Sequence, residues 1–129
     1  MKVSNRPTEE QALEFDGYIR HWQAVLNLRD WRIERSRKQA KDAMADIEVD
    51  ECQRLATYRL GDFGGEDITP ETLSKTALHE TLHVFLRDLT KVFRDPRSTE
   101  DEMDAAEHKV INVLEYVLTK DSYAAIKDN

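Results

Sequence analysis

The chain is poor in the residues that staple, punctuate or span. Cys52 is its one cysteine, so no disulfide can close within the chain and a reducing, cytoplasmic setting is expected. With 3 prolines and 4 glycines in 129 residues, no low-complexity tract or interdomain linker stands out. No apolar run approaches the roughly 20 residues needed to cross a bilayer, and Met1-Lys2-Val3-Ser4-Asn5-Arg6-Pro7 does not read as a secretory signal. An excess of basic charge is missing too. Its 26 acidic and 19 basic side chains leave a net charge of −7, which argues against a nucleic-acid partner. The local exception, Arg35-Ser36-Arg37-Lys38-Gln39-Ala40-Lys41, reads as a solvated hairpin loop. What is present, 40% hydrophobic and 35% charged residues, suits one globular domain over residues 1–129 with a single core.

Thr8-Glu9-Glu10-Gln11 spells a capping box, and Ala12, Phe15, Ile19, Trp22 and Leu26 follow at spacings of three and four. These predict a helix over about residues 9–28, with His21 at its surface or boundary rather than in a metal set. Alternation then predicts strands near residues 30–36, 44–50 and 52–60, read as an antiparallel meander covered by helices on one face only. Asp50-Glu51 is short enough to be the tight link between the second and third strands. The loop Gly61-Asp62-Phe63-Gly64-Gly65-Glu66-Asp67 runs into Thr69-Pro70-Glu71, an N-cap, an N1 proline and an early acid. A helix should therefore run from Pro70 to about Phe93, until Arg94-Asp95-Pro96-Arg97 breaks it. Thr99-Glu100-Asp101-Glu102 opens a final helix to about Thr119, followed by a polar tail from Lys120 to Asn129 whose one large side chain is Tyr123. The fold class is α+β.

Residues His79-Glu80-Thr81-Leu82-His83 spell HETLH, a match to H-E-x-x-H and the most specific signal in the chain. On a helix, positions i and i+4 share a face one turn apart, so both imidazoles can reach one ion. Two neutral nitrogen ligands suit Zn²⁺, and Glu80 can then stand beside a water at the metal instead of binding the ion. A surface helix could carry two histidines by accident. The apolar residues around the motif (Leu73, Ala77, Leu78, Phe85) point instead to a site near the core with both histidines partly buried.

A catalytic zinc usually has three protein ligands and an open position. Glu100, Asp101 and Glu102 are already explained as acids in a first helical turn. Glu107 is not: it lies four residues after Met103, three before Val110 and seven before Leu114, inside the apolar stripe of its helix. A carboxylate there is costly unless a cation compensates it, and zinc on His79 and His83 is a sufficient partner. The alternative is a marginal position that reaches water or pairs with Lys or Arg. His108 and Glu100 are the other candidates for third ligand.

HETLH on one helix, a glutamate on the next and a small sheet before both resemble the zincin metallopeptidases, most closely the gluzincin type. The short chain is similar to single-domain metallopeptidases encoded by bacteriophages and prophages. The resemblance runs from Leu28-Arg29-Asp30-Trp31 through HETLH to Glu107-His108-Lys109-Val110, but only HETLH is a sharp motif. It implies a zincin-like fold with an N-terminal helix, a small three-stranded sheet and two helices carrying the metal site. It also implies His79, His83 and Glu107 as zinc ligands, with Glu80 as general base in peptide hydrolysis. Zinc would bring the pKa of its water towards ~7, and Glu80 would pass the proton to the leaving amine. Larger gluzincins carry an aspartate four residues after the ligand glutamate, where this chain has Ile111. No oxyanion-stabilising residue is assigned, Tyr58 and Tyr116 being more often packing residues.

Two other classes stay open. A non-catalytic zinc-binding interaction module would keep the ligands and gain nothing from Glu80. A DNA-associated protease of the crosslink-repair type would use Arg37 and Lys38 as its contact, against the acidic net charge. Peptide or protein is the expected substrate partner, with no membrane; substrate identity and oligomeric state are not legible.

Overall fold

The computed structural model describes residues 4–127, with side chains described as far as Lys120. The first helix, α1 (Glu9–Val25), opens on the expected capping box. Gln11 N–H donates to the Thr8 hydroxyl at 3.1 Å, and Thr8 N–H donates to the Gln11 amide oxygen at 2.9 Å. The helix stops short of residue 28 because Asn27 takes a left-handed φ of 56°, a conformation asparagine tolerates. Ala12, Phe15, Ile19 and Leu26 are buried as their spacing requires.

Three strands follow: β1 (Arg32–Gln39), β2 (Ala45–Asp50) and β3 (Leu55–Leu60). They do not form a meander. The order is β1-β3-β2, with β1 parallel to β3 and only β2 antiparallel to it. The cause lies in the segment between Ala40 and Met44, which arches over the end of β3. Ala40 N–H donates to Leu60 and Gly61 N–H to Met44, at 3.0 and 2.8 Å. A Cβ on Gly61 would stand 2.1 Å from the Ala43 carbonyl oxygen, so this close approach requires glycine. With the arch overhead, β1 and β2 flank β3 rather than each other. The basic stretch is also corrected: Arg35 to Gln39 belong to β1, not to a loop, and Arg35 and Arg37 both donate to Glu9 on α1. β2 and β3 are joined as expected by a short turn, slightly later than Asp50-Glu51. Asp50 accepts from the Cys52 and Gln53 N–H groups, and Arg54 has a φ of 52°.

Ile33, Ala56 and Tyr58 turn inward from the sheet to meet Phe15 and Ile19 of α1 and Leu73, Ala77 and Val84 beyond. The Phe15 and Tyr58 rings lie 5.2 Å apart, and the buried Tyr58 hydroxyl donates to Asp16 at 2.6 Å. Helix α2 (Pro70–Phe85) begins at the Thr69 cap and proline as expected. It then breaks at Leu86 before a separate α3 (Arg87–Arg94). Neither proline nor glycine marks that break, so periodicity ran through it. The last helix, α4 (Glu100–Lys127), starts on the Thr99/Glu102 capping box. It continues through Lys127, where a polar tail from Lys120 was expected; Asp128, Asn129 and the Tyr123 side chain lie outside the described residues. Among the described residues no helix is long and apolar enough to cross a membrane.

Gly61→Ala should cost about 2–3 kcal/mol, because the arch cannot yield without breaking the β3 contact. Gly17, in mid-α1 with open space around its Cβ position, is the control: Gly17→Ala should stabilise by about 0.5–1 kcal/mol. Urea midpoints moving in opposite directions check both.

Candidate metal and proton-transfer site

The buried positions of α2 are Leu73, Thr76, Ala77, Glu80, Thr81, Val84 and Phe85, a stripe at helical spacing that includes one carboxylate. His79 and His83 lie just off that stripe. Both are exposed, not partly buried as their apolar neighbourhood suggested, because the helix turns them toward a cleft and not toward the core. Their rings are 5.0 Å apart and nearly perpendicular. Glu80 is 5% exposed, and among the described residues no side-chain hydrogen bond or ion pair reaches its carboxylate. Burial pushes its pKa up to about 7, with the nearby Asp46 adding a smaller push in the same direction. Asp46 itself is gripped by Arg59, its cross-strand partner, through two hydrogen bonds of 2.7 and 2.9 Å.

The cleft, of about 870 Å³, runs between β2 on one side and α2 and α3 on the other. A second lobe of about 650 Å³, lined by Met44, Thr72 and Lys75, shares His79 and Glu80 with it. β2 has no strand on its outer side, so the cleft is walled by an open sheet edge. The bond from Gly61 N–H to the Met44 carbonyl sets the phase of the ladder. Hydrogen-bonded pairs alternate in an antiparallel sheet, so Asp46, Glu48 and Asp50 bond back to β3. Ala45, Ile47 and Val49 turn their backbone groups outward. An Arg87 side-chain bond to the outward Val49 carbonyl, at 3.2 Å, agrees with this phase. Which strand offered the edge was not readable before the sheet order was known.

The chain matches no protein-family model, no curated protein and no solved structure. The site is therefore argued from its own residues.

The remaining candidates are scattered. Glu107 is exposed on α4, and the half-buried stripe of that helix passes through Met103, Ala106, Val110 and Val113 instead. Glu107 thus lies one helical position off the apolar stripe in which its spacing placed it. His108 is exposed, with Nδ1 2.8 Å from the Asp104 carbonyl of its own helix. Glu102 serves the capping box, and Glu100 is exposed beside it. Tyr58 is spent on Asp16 in the core, Tyr116 is 67% exposed, and His21 is exposed with its ring edge against Trp22. Among the described residues no three His, Cys, Asp or Glu side chains group closely enough to hold a metal ion. Two nitrogen donors one turn apart fit zinc; the third protein donor is not assembled with them.

A carboxylate whose folded pKa is raised binds its proton more tightly folded than unfolded, so its contribution to stability falls as pH rises through the interval between the two values. For Glu80 that interval runs from the ordinary 4.5 to about 7. In metal-free protein, Glu80→Gln should therefore stabilise the fold by about 1–2 kcal/mol at pH 8 and by little at pH 4.5. Thermal unfolding with chelator at both pH values checks this, and an equal effect at both would show that the carboxylate is solvated.

Proposed function

We propose that this cleft is the active site of a zinc-dependent peptidase. One arrangement supports the reading: a mostly buried glutamate with no hydrogen-bond donor, beside two exposed histidines one turn apart, along an open sheet edge. His79 and His83 would hold the ion, and Glu107 of α4, which does not stand with them among the described residues, is the proposed third donor. A zinc ion bound there supplies Lewis acidity, making a water acidic near neutral pH and polarising a carbonyl. Glu80 takes a proton from the attacking water on a carboxylate oxygen and returns it to the leaving amine nitrogen. Burial raises its proton affinity, and a cation at the histidines would draw that affinity back down, favouring the basic carboxylate. Ala45 and Ile47 offer outward backbone groups that can hold an extended peptide beside the histidines.

A second reading, a zinc-binding module without catalysis, draws on the absence of an assembled three-donor set among the described residues. The two readings differ at Glu80. Purified protein should carry about one zinc per chain, lost in the His79→Ala/His83→Ala double variant. Glu80→Gln should keep the zinc while hydrolysis of unstructured peptides falls at least ~10²-fold. Unchanged zinc in the double variant overturns the site, whereas unchanged hydrolysis in Glu80→Gln with metal retained leaves only the module.

Glu107→Gln should weaken zinc binding by at least about tenfold, and Glu100→Gln should leave it unchanged because Glu100 serves a helix start. Competition titration against a chromophoric chelator separates them, and equal affinities would move the third donor to another residue, His108 first.

A further inference from the structure

The α3 end of the cleft differs from the rest. Arg87 lies between two anchors: its Nε donates to Glu51 at 3.3 Å, and an Nη donates to the Val49 carbonyl at 3.2 Å. That carbonyl is one of the outward groups an added strand would use. Pairing along β2 is thus open at Ala45 and Ile47 and stopped at Val49, about two residues, or ~7 Å, beyond Ile47. Arg94 lines the same cleft two turns further along α3, on the same helix face as Arg87. Among the described residues Arg94 makes no ion pair, unlike Arg87 and Arg59, which are both committed. The stop is rigid on its far side as well. Arg54, in the β2–β3 turn, stacks over Trp31 and donates twice to Asp88 of α3, at 2.8 and 3.0 Å, and once to Asp30.

We propose that Arg87 ends the peptide-binding edge of the cleft and that Arg94, beside it, reads a carboxylate on the bound peptide, supplied by an acidic side chain. This rests on the reading of the cleft as a peptide site. The acids of β2 oppose it only in part. All three line the cleft from the strand face opposite Ile47 and Val49, where Asp46 is held by Arg59 and Asp50 accepts from its own turn, so Glu48 is the one left to compete for Arg94. A peptide side chain directed toward the helices at the Val49 level meets guanidinium groups, which bind a planar carboxylate through paired hydrogen bonds. A lysine in that place meets the like charge of Arg94, the Arg87 charge being met by Glu51.

The test uses two pools of end-blocked octapeptides, randomised except for one fixed residue, glutamate in the first and lysine in the second. Binding is followed by amide exchange of Ala45 and Ile47 and by titration, with zinc-loaded full-length protein carrying Glu80→Gln to prevent turnover. The glutamate pool should bind about 3–10-fold more tightly, the scale of one exposed charge-assisted contact. Adding Arg94→Glu should reverse the order. Adding Arg87→Ala should extend amide protection to Val49, because its carbonyl becomes free to pair. If both pools protect Ala45 and Ile47 with equal affinity, the carboxylate reading is overturned and the peptide site stands. If neither pool changes those amides while zinc is bound, the peptide-cleft reading fails instead.

Discussion

The close approach of Gly61 to the arch between Ala40 and Met44 determines which strand is left with an open edge. Because the arch crosses over the end of β3, that strand takes the centre and β2 is pushed to the outside, facing α2. In a meander β2 would be central, its backbone groups paired on both sides, and HETLH would look onto a closed sheet. The Met44–Gly61 bond also fixes the phase of the ladder, and so decides that Ala45, Ile47 and Val49 face outward. A single side-chain-free position therefore sets both the location of the cleft and the backbone groups that line it.

The electrostatics of the cleft follow from α2 presenting two faces at once. Its core stripe runs through Leu73, Ala77 and Val84 and takes Glu80 with it, while the two histidines, one turn apart along one edge of that stripe, reach the cleft. Burying a carboxylate without a hydrogen-bond donor opposes folding. Here the cost is lessened by holding the proton, which is what a pKa near 7 expresses. Asp46 deepens the effect, since Arg59 meets its charge from the neighbouring strand and not from the cleft side. Glu80 is the one ionisable group in that buried stripe, and local destabilisation there is in keeping with the proposed role.

The far end of the molecule is held by arginines. Arg54 and Arg87 tie the β2–β3 turn and the end of β2 to α3 through Asp88, Glu51 and the Val49 carbonyl. α4 is attached more loosely. It leans on α3 and reaches the core through Val110, Val113 and Leu114, beside a cavity of about 160 Å³ lined by Phe85, Leu89, Ala106 and Val110. The helix that carries Glu107 is thus placed mainly by α3.

Local patterns carried a good deal of this structure. The three N-terminal caps at Thr8, Thr69 and Thr99, the buried stripe of α1, the alternation of three strands and the helical setting of HETLH were all legible, since each depends on neighbours within a few residues. What lay between distant segments was not. Alternation states which face a strand buries but not which strand it pairs with, so the sheet order and the free edge of β2 were decided by the arch over Gly61. Spacing placed Glu107 within reach of an apolar stripe, but a helix face one position wide is set by its docking on α3, which turned Ala106 inward. The exposure of His79 and His83, the burial of Glu80 beside them and the bond from Arg87 to the Val49 carbonyl have the same origin. A short-range code specifies elements and their amphipathic faces, and only the packing of one element against another determines which groups stand together and which of them water can reach.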